Sequence, residues 1–207
     1  MTAIKNILFD LGGVLYHIDY NLTIKAFEKL GIKEFDKHFS QKQQNTLFDR
    51  LETGRISTDG FINEMKILLP HCSNEQIIDA WNALLLEIPP ENIDLLEQLS
   101  KKYKLYLLSN TNAIHIERIN EQLSDTYGLK NLHPLFDKVY LSHEIGMRKP
   151  NQETFEWVLA DAGILARETL FIEDSIQHIE SASVIGIKTC LWSSNKALSN
   201  LFPDKAL

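Results

Sequence analysis

Scarcity is the first information in this chain of 207 residues. It has only 2 cysteines, Cys72 and Cys190, far apart in sequence. That is no disulfide framework, and it fits a reduced, cytoplasmic protein with two thiols. No apolar run approaches the roughly 20 residues needed to cross a bilayer, so no membrane span is expected. The opening stretch, MTAIKNILF, is too short an apolar segment for a secretory signal, because Asp10 interrupts it. Basic clusters are missing too, and the formal net charge is −7. This excludes nucleic acid or an anionic membrane surface as the main partner. An anionic ligand would therefore need locally placed cations or a metal. Repeats and low-complexity tracts are absent as well.

What remains is a globular composition. Hydrophobic residues make up 44%, enough for one domain of ordinary size or a core with a modest insertion. Five short apolar runs, KNILFD, YKLYLLSN, KVYLS, TLFIED and KTCLW, each end in polar residues, with helical spacing between most of them. Strand followed by helix, repeated, predicts an α/β fold, a Rossmann-like doubly wound parallel sheet with helices on both faces. Ligands gather at the carboxyl ends of such strands, where Asp10, Ser109 and the Glu173-Asp174 pair fall.

Residues about 20 to 88 show only helical signals. Asn21 is positioned to cap a first helix ending at Gly31; Ser57 or Thr58 starts another, and Ser73 with Gln76 forms a capping box. Pro89-Pro90 then marks a hinge. The expected organisation is a core of residues 1–19 and 89–207, with a small helical cap, 20–88, inserted after the first strand.

The stretch NILFDLGGVLYHID carries the chemical question. A strand delivers a carboxylate to its tip and then turns on a glycine pair. Gathered at one sheet edge, Asp10, Glu173 and Asp174 would repel one another unless a cation joined them, and hard oxygen ligands favour magnesium. Lys149 and Ser109 would suit a phosphoryl group, which Asp10 could attack and carry covalently.

At these residues the chain resembles the haloacid dehalogenase-like hydrolases. FDLGGVL, LLSN, GMRKPN and FIEDS look like the four motifs of that family, in order and across nearly the whole core. SNTNAIH and YLSHEIGMRKPNQETF are similar to its sugar phosphatase branch, that of alpha-D-glucose-1-phosphate phosphatase. The resemblance implies a magnesium-dependent phosphatase acting on a small phosphorylated metabolite, with a sugar phosphate expected. It makes Asp10 the nucleophile and a magnesium ligand. The backbone carbonyl of Gly12 and the Asp174 carboxylate complete the metal site, with Glu173 a direct or water-bridged partner. Ser109 and the Asn110 backbone would hold phosphate oxygens, and Lys149 would neutralise them.

Gly12 departs from the pattern, since most family phosphatases carry there the acid that protonates the leaving oxygen. His17, Asp19 and His115 are the nearest candidate substitutes, each of which reads more readily as structural than as catalytic. Arg148 reads as a structural cation, Trp81 as core, Asn112 as a helix cap and Gly13 as a backbone device. Two further readings stand beside the phosphatase: a non-catalytic phospho-ligand binder, which Gly12 permits, and a metal-independent haloacid dehalogenase, against which the Glu173-Asp174 pair argues. No feature of the sequence sets an oligomeric state or names the sugar.

Overall fold

A computed structural model describes residues 3–33, 35, 46–193 and 197–202. The chain opens with β1 (Asn6–Phe9), a tight turn and a short β2 (His17–Ile18). Among the described residues four α-helices follow: α1 (Tyr20–Leu30), α2 (Thr46–Glu52), α3 (Thr58–Leu68) and α4 (Asn74–Asn82). Then β3 (Leu85–Glu87) returns to pair antiparallel with β2. The rest alternates through α5 (Pro90–Leu99), β4 (Lys104–Ser109), α6 (Ala113–Tyr127), β5 (Lys138–Leu141) and the single turn α7 (Ser142–Ile145). It closes with α8 (Gln152–Ala162), β6 (Thr169–Glu173), α9 (Ile176–Val184) and β7 (Lys188–Leu191).

All five expected runs form one sheet, in the order β5-β4-β1-β6-β7, and every pairing is parallel. The period of two decides which helices cover it. Ile7, Phe9, Leu105 and Leu107 face α5 and α6 through Leu95, Leu99, Ile119 and Leu123. Leu8, Tyr106, Leu108 and Phe171 face the other way, onto Phe155 and Val158 of α8 and Ile179 of α9. Each such burial contributes about 1.5–3 kcal/mol before the entropy of ordering is counted. This is the doubly wound α/β architecture that the runs predict.

Strand order reverses around β1. The chain adds β4 and β5 on one side, then crosses to add β6 and β7 on the other. At such a switch point neighbouring connections leave in opposite directions, and a crevice opens at the carboxyl ends. Asp10, Ser109 and Glu173 stand at the ends of β1, β4 and β6, the three central strands.

Helices α1–α4 bury a cluster of their own, which includes Phe27, Phe48, Phe61, Met65 and Trp81 and takes in Ile114 of α6. Ser57 caps α3, the Ser73–Gln76 box opens α4, and Gly31 ends α1 at φ 112°. The start of α1 differs from expectation. Asp19, not Asn21, is the cap, and its Oδ1 accepts the Asn21 N–H at 2.9 Å. The chain leaves β2 at Ile18, so the helix begins two residues earlier than the apolar spacing indicates. The stretch is not wholly helical either, because Leu85–Glu87 forms β3, too short a strand to produce a periodic signal. Pro89 and Pro90 start α5, Pro90 at its first position, where a missing N–H leaves no bond unmade. Residues 34 and 36–45 of the expected insert lie outside the described residues. Among the described residues no helix is long and apolar enough to cross a membrane.

Candidate active site

Phe9 pairs with Leu107 and Ile172, so Asp10 is the first residue past the paired strand, and its N–H still bonds the Ile172 carbonyl at 3.0 Å. The chain then folds back sharply. Leu15 and Tyr16 donate to the Leu11 carbonyl at 2.9 and 2.8 Å, and Gly13 donates to Tyr16 at 2.8 Å. Gly13 has φ 80°, and a Cβ on it would overlap the Asp174 carboxylate, so the side-chain-free turn lets backbone and acid meet. Gly12 is different. A Cβ there would stand 3.0 Å from Cδ1 of Ile18, so the tip of that β2 side chain would have to give way for a second acid to begin there.

Lys149 is 1% exposed, and its Nζ lies 2.5 Å from Asp10 Oδ1 and 2.7 Å from Glu173 Oε2. Burial works against its charge, but the two carboxylates hold its pKa above the usual lysine value. The loop that carries it is fixed by Asn110. That side chain accepts the Lys149 N–H at 2.9 Å and donates to the Lys149 carbonyl at 2.8 Å. The Asn110 side chain is therefore committed to the lysine loop. Ser142 braces the next residue in the same two-way manner, through the N–H and C=O of Thr111.

Glu173 curls back on its own chain, and Oε1 accepts from the N–H groups of Asp174 and Ser175 at 3.0 and 3.1 Å. His178, on the first turn of α9, brings Nδ1 to 3.0 Å from Oε2. Burial opposes the charge of Glu173, but Lys149 and these neighbours hold its carboxyl well below the usual range. The other two acids move up. Burial and then repulsion from Glu173 push Asp10 to about 7, against the pull of Lys149. Burial, Glu173 and Asp10 push Asp174 to about 8.

Ligand oxygens of Asp10, Glu173 and Asp174 lie within 4.8 Å of one another. One lysine against three carboxylates leaves two negative charges, which a divalent cation would balance. The donors are all hard oxygens, so the residues fit magnesium.

A cleft of about 850 Å³, its open mouth included, runs from this cluster toward the helical insert. Asp10, Gly12, Ser109, Asn110, Lys149 and Glu173 line it, so the structure brings these sequence-derived residues together, with Asp174 in the carboxylate cluster. Of the three candidate substitutes for the acid, it brings only His115 to the cleft. The His17 side chain is 47% exposed, beside Glu87, and Asp19 is committed to its helix cap. His115 does line the cleft, but burial lowers its pKa to about 3, and it stacks on Trp81 at 5.0 Å. Its Nδ1 lies 2.8 Å from Asn82 Oδ1. A ring held neutral in this way is a weak proton donor to a leaving group.

Several lining residues carry no sequence motif of their own: Tyr20, Glu52, Trp81 and His178. His178 alone was discoverable, one helical turn after Asp174. Trp81 is core and cleft wall at once, with its indole N–H donating to Asn112 Oδ1 at 3.3 Å. Asn112 also caps α6, as expected.

Comparison with known proteins extends these observations. A sequence profile of the haloacid dehalogenase-like hydrolases matches residues 7–192. The chain is 34% identical over 187 residues to the D-ribitol-5-phosphate phosphatase of Bacteroides thetaiotaomicron, across 90% of each chain. A crystal structure of a HAD family enzyme from that organism, an aspartate-to-alanine variant in complex with magnesium and inorganic phosphate, superposes with a TM-score of 0.92. Its identity is 36%, covering 98% of this chain and 100% of the other. A HAD-like family hydrolase from Porphyromonas gingivalis superposes with a TM-score of 0.86 at 32% identity, over 98% and 100% of the two chains.

Proposed function

Because the chain belongs to the haloacid dehalogenase-like hydrolases and is a phosphatase, we propose that it hydrolyses a small phosphorylated polyol or sugar through an aspartyl-phosphate on Asp10. The D-ribitol-5-phosphate phosphatase relative supports that substrate class. Magnesium is the metal, as in the related structure with magnesium and phosphate. Asp10, the Gly12 carbonyl and Asp174 would hold it, with Glu173 beside them. When bound, it draws charge from the phosphoryl oxygens and lets the carboxylates stand together ionised.

The observation that carries this reading is the buried Lys149 between Asp10 and Glu173. It pulls Asp10 toward its nucleophilic, ionised form and fixes its direction, while Glu173 anchors the lysine from the other side. Ser109 and the Asn110 N–H receive phosphate oxygens. Asp10 Oδ attacks phosphorus, the bond to the leaving oxygen breaks, and that oxygen takes a proton from solvent in the cleft, since Gly12 has no side chain to give one. Water then attacks the phosphorus of the aspartyl-phosphate, which releases inorganic phosphate and restores Asp10. The helical insert, residues 20–88, acts as a cap that closes over the small substrate.

The test is turnover of p-nitrophenyl phosphate and ribitol 5-phosphate, with and without magnesium, by wild type and Asp10→Asn. Activity should need the metal and disappear in the variant, and ³²P from substrate should be trapped on the wild-type chain alone. Activity that survives both EDTA and Asp10→Asn would sink the mechanism.

A further inference from the structure

The cleft has a second polar wall that the chemistry above does not use. Glu52 ends α2, and its Oε2 lies 3.1 Å from Nη2 of Arg148, the residue before Lys149. The guanidinium also reaches Asp49, with Nη1 3.2 Å from Oδ1. Glu52 and Arg148 line the same cleft as Asp10, whereas Asp49 lines a separate surface recess. One arginine thus holds two acids of the insert, and only one of them faces the substrate space.

The charge balance of this wall is informative. Among the described residues, Lys149 and Arg148 are the only lysine or arginine side chains that line the cleft. Lys149 is held by Asp10 and Glu173, and Arg148 by Asp49 and Glu52. Both cations of the cleft thus face carboxylates already, and their charge is offset before a second anionic group on the substrate could draw on it. Glu52 is 9% exposed, so its carboxylate meets ligands with little water to screen it. Tyr20 lines the cleft too, with its phenol raised by burial and then by Glu52, Asp174 and Asp10. The remaining wall is largely apolar, with Trp81, Leu84 and Ile119 suited to the C–H faces of a carbon chain.

We propose that Glu52, oriented by Arg148, reads the leaving group. It accepts hydrogen bonds from the hydroxyls of a neutral polyol and turns away leaving groups that carry a carboxylate or a second phosphate. This rests on the sugar-phosphatase reading above and adds the residue that enforces it. An ionised carboxylate only accepts hydrogen bonds, so hydroxyl donors satisfy it and another anion cannot. Loss of one charge-assisted hydrogen bond, or relief of one like-charge pair, is worth about 10- to 100-fold in kcat/KM.

The experiment compares three esters: p-nitrophenyl phosphate, ribitol 5-phosphate and 3-phosphoglycerate. Wild type should prefer the polyol ester over the hydroxy-acid ester. In Glu52→Gln, the kcat/KM ratio of ribitol 5-phosphate to p-nitrophenyl phosphate should fall about 10- to 100-fold, mostly through KM, while that of 3-phosphoglycerate rises. Asp49→Asn removes the other partner of the same arginine and should leave both ratios within about twofold. A wild type that hydrolyses both esters equally overturns the proposal without any variant, as does a polyol preference that persists in Glu52→Gln. Equal loss in Glu52→Gln and Asp49→Asn would mean that the ion pairs merely hold the insert, and overturns it too. Turnover of p-nitrophenyl phosphate with neither metabolite ester would instead remove the sugar-phosphatase reading, and Glu52's assignment with it.

Discussion

Introducing Gly12→Asp asks whether the missing acid is absent by chemistry or by space. An aspartate at this position is permitted by the backbone, since Gly12 is not among the positive-φ glycines. Its Cβ, however, would lie 3.0 Å from Ile18 Cδ1, closer than side chains normally pack, while the other Ile18 atoms stand at 3.8 and 3.9 Å. Ile18→Val removes Cδ1 alone, at a stability cost of about 0.5–1.5 kcal/mol. Gly12→Asp by itself forces a crowded contact worth about 1–3 kcal/mol, and its carboxyl is deflected from the leaving oxygen. The two changes together should therefore be coupled. The assay is a series of aryl and alkyl phosphates, read as kcat/KM against leaving-group basicity. Wild type should fall steeply toward the alkyl esters, because an alkoxide needs a proton that Gly12 does not supply. Gly12→Asp should narrow the aryl-to-alkyl gap by less than about tenfold. The double variant should narrow it by a further factor of ten or more, within the roughly 10²–10⁴ that general acid catalysis provides. That is a coupling of at least about 1.4 kcal/mol in the double-mutant cycle. His17→Ala and Asp19→Asn should leave the slope unchanged. A flat series in wild type would refute the reasoning, and so would a cycle in which the two changes simply add.

Three further outcomes follow from the same geometry. Burial and mutual repulsion place Asp10 near 7 and Asp174 near 8 in the absence of a cation, so magnesium must displace protons there. Its affinity should rise by up to about 100-fold per pH unit near pH 6, where both acids hold protons, and by less than about tenfold per unit at pH 8, with proton release seen by calorimetry in buffers of different ionisation enthalpy; pH-independent affinity would contradict the cluster. His115 is held at about 3 against its ordinary 6.5, so the unfolded chain binds the extra proton first, and stability present above pH 6.5 is lost as pH falls toward 3. The loss between pH 7 and 5 should be about 2 kcal/mol by urea unfolding, and His115→Gln should abolish that part of the pH dependence. A cap that closes over the cleft should also make folded phosphoproteins poor substrates, with efficient phosphate release from one counting against closure.

Much of the molecule was legible in the sequence because its determinants are local. Five apolar runs of the right length, each followed by helical spacing, were sufficient for a parallel sheet, and the sheet has those five strands. Polar residues at the run ends, Asp10, Ser109 and Glu173, marked the edge where a doubly wound sheet binds ligands, since strand direction alone places them there. The short β2–β3 ribbon was not legible, because two or three residues carry no period. Nor were the consequences of long-range packing. Ile18 fills the space beside Gly12, and Asn110 spends its side chain on the Lys149 loop. Glu52 meets Arg148 on one wall of the cleft, and His115 is buried neutral against Trp81. A sequence states which chemical groups are available and, through local periodicity, which end of a strand they occupy. Which groups remain unspent for a substrate depends on contacts between residues tens of positions apart, and these exist only once the insert has packed against the sheet.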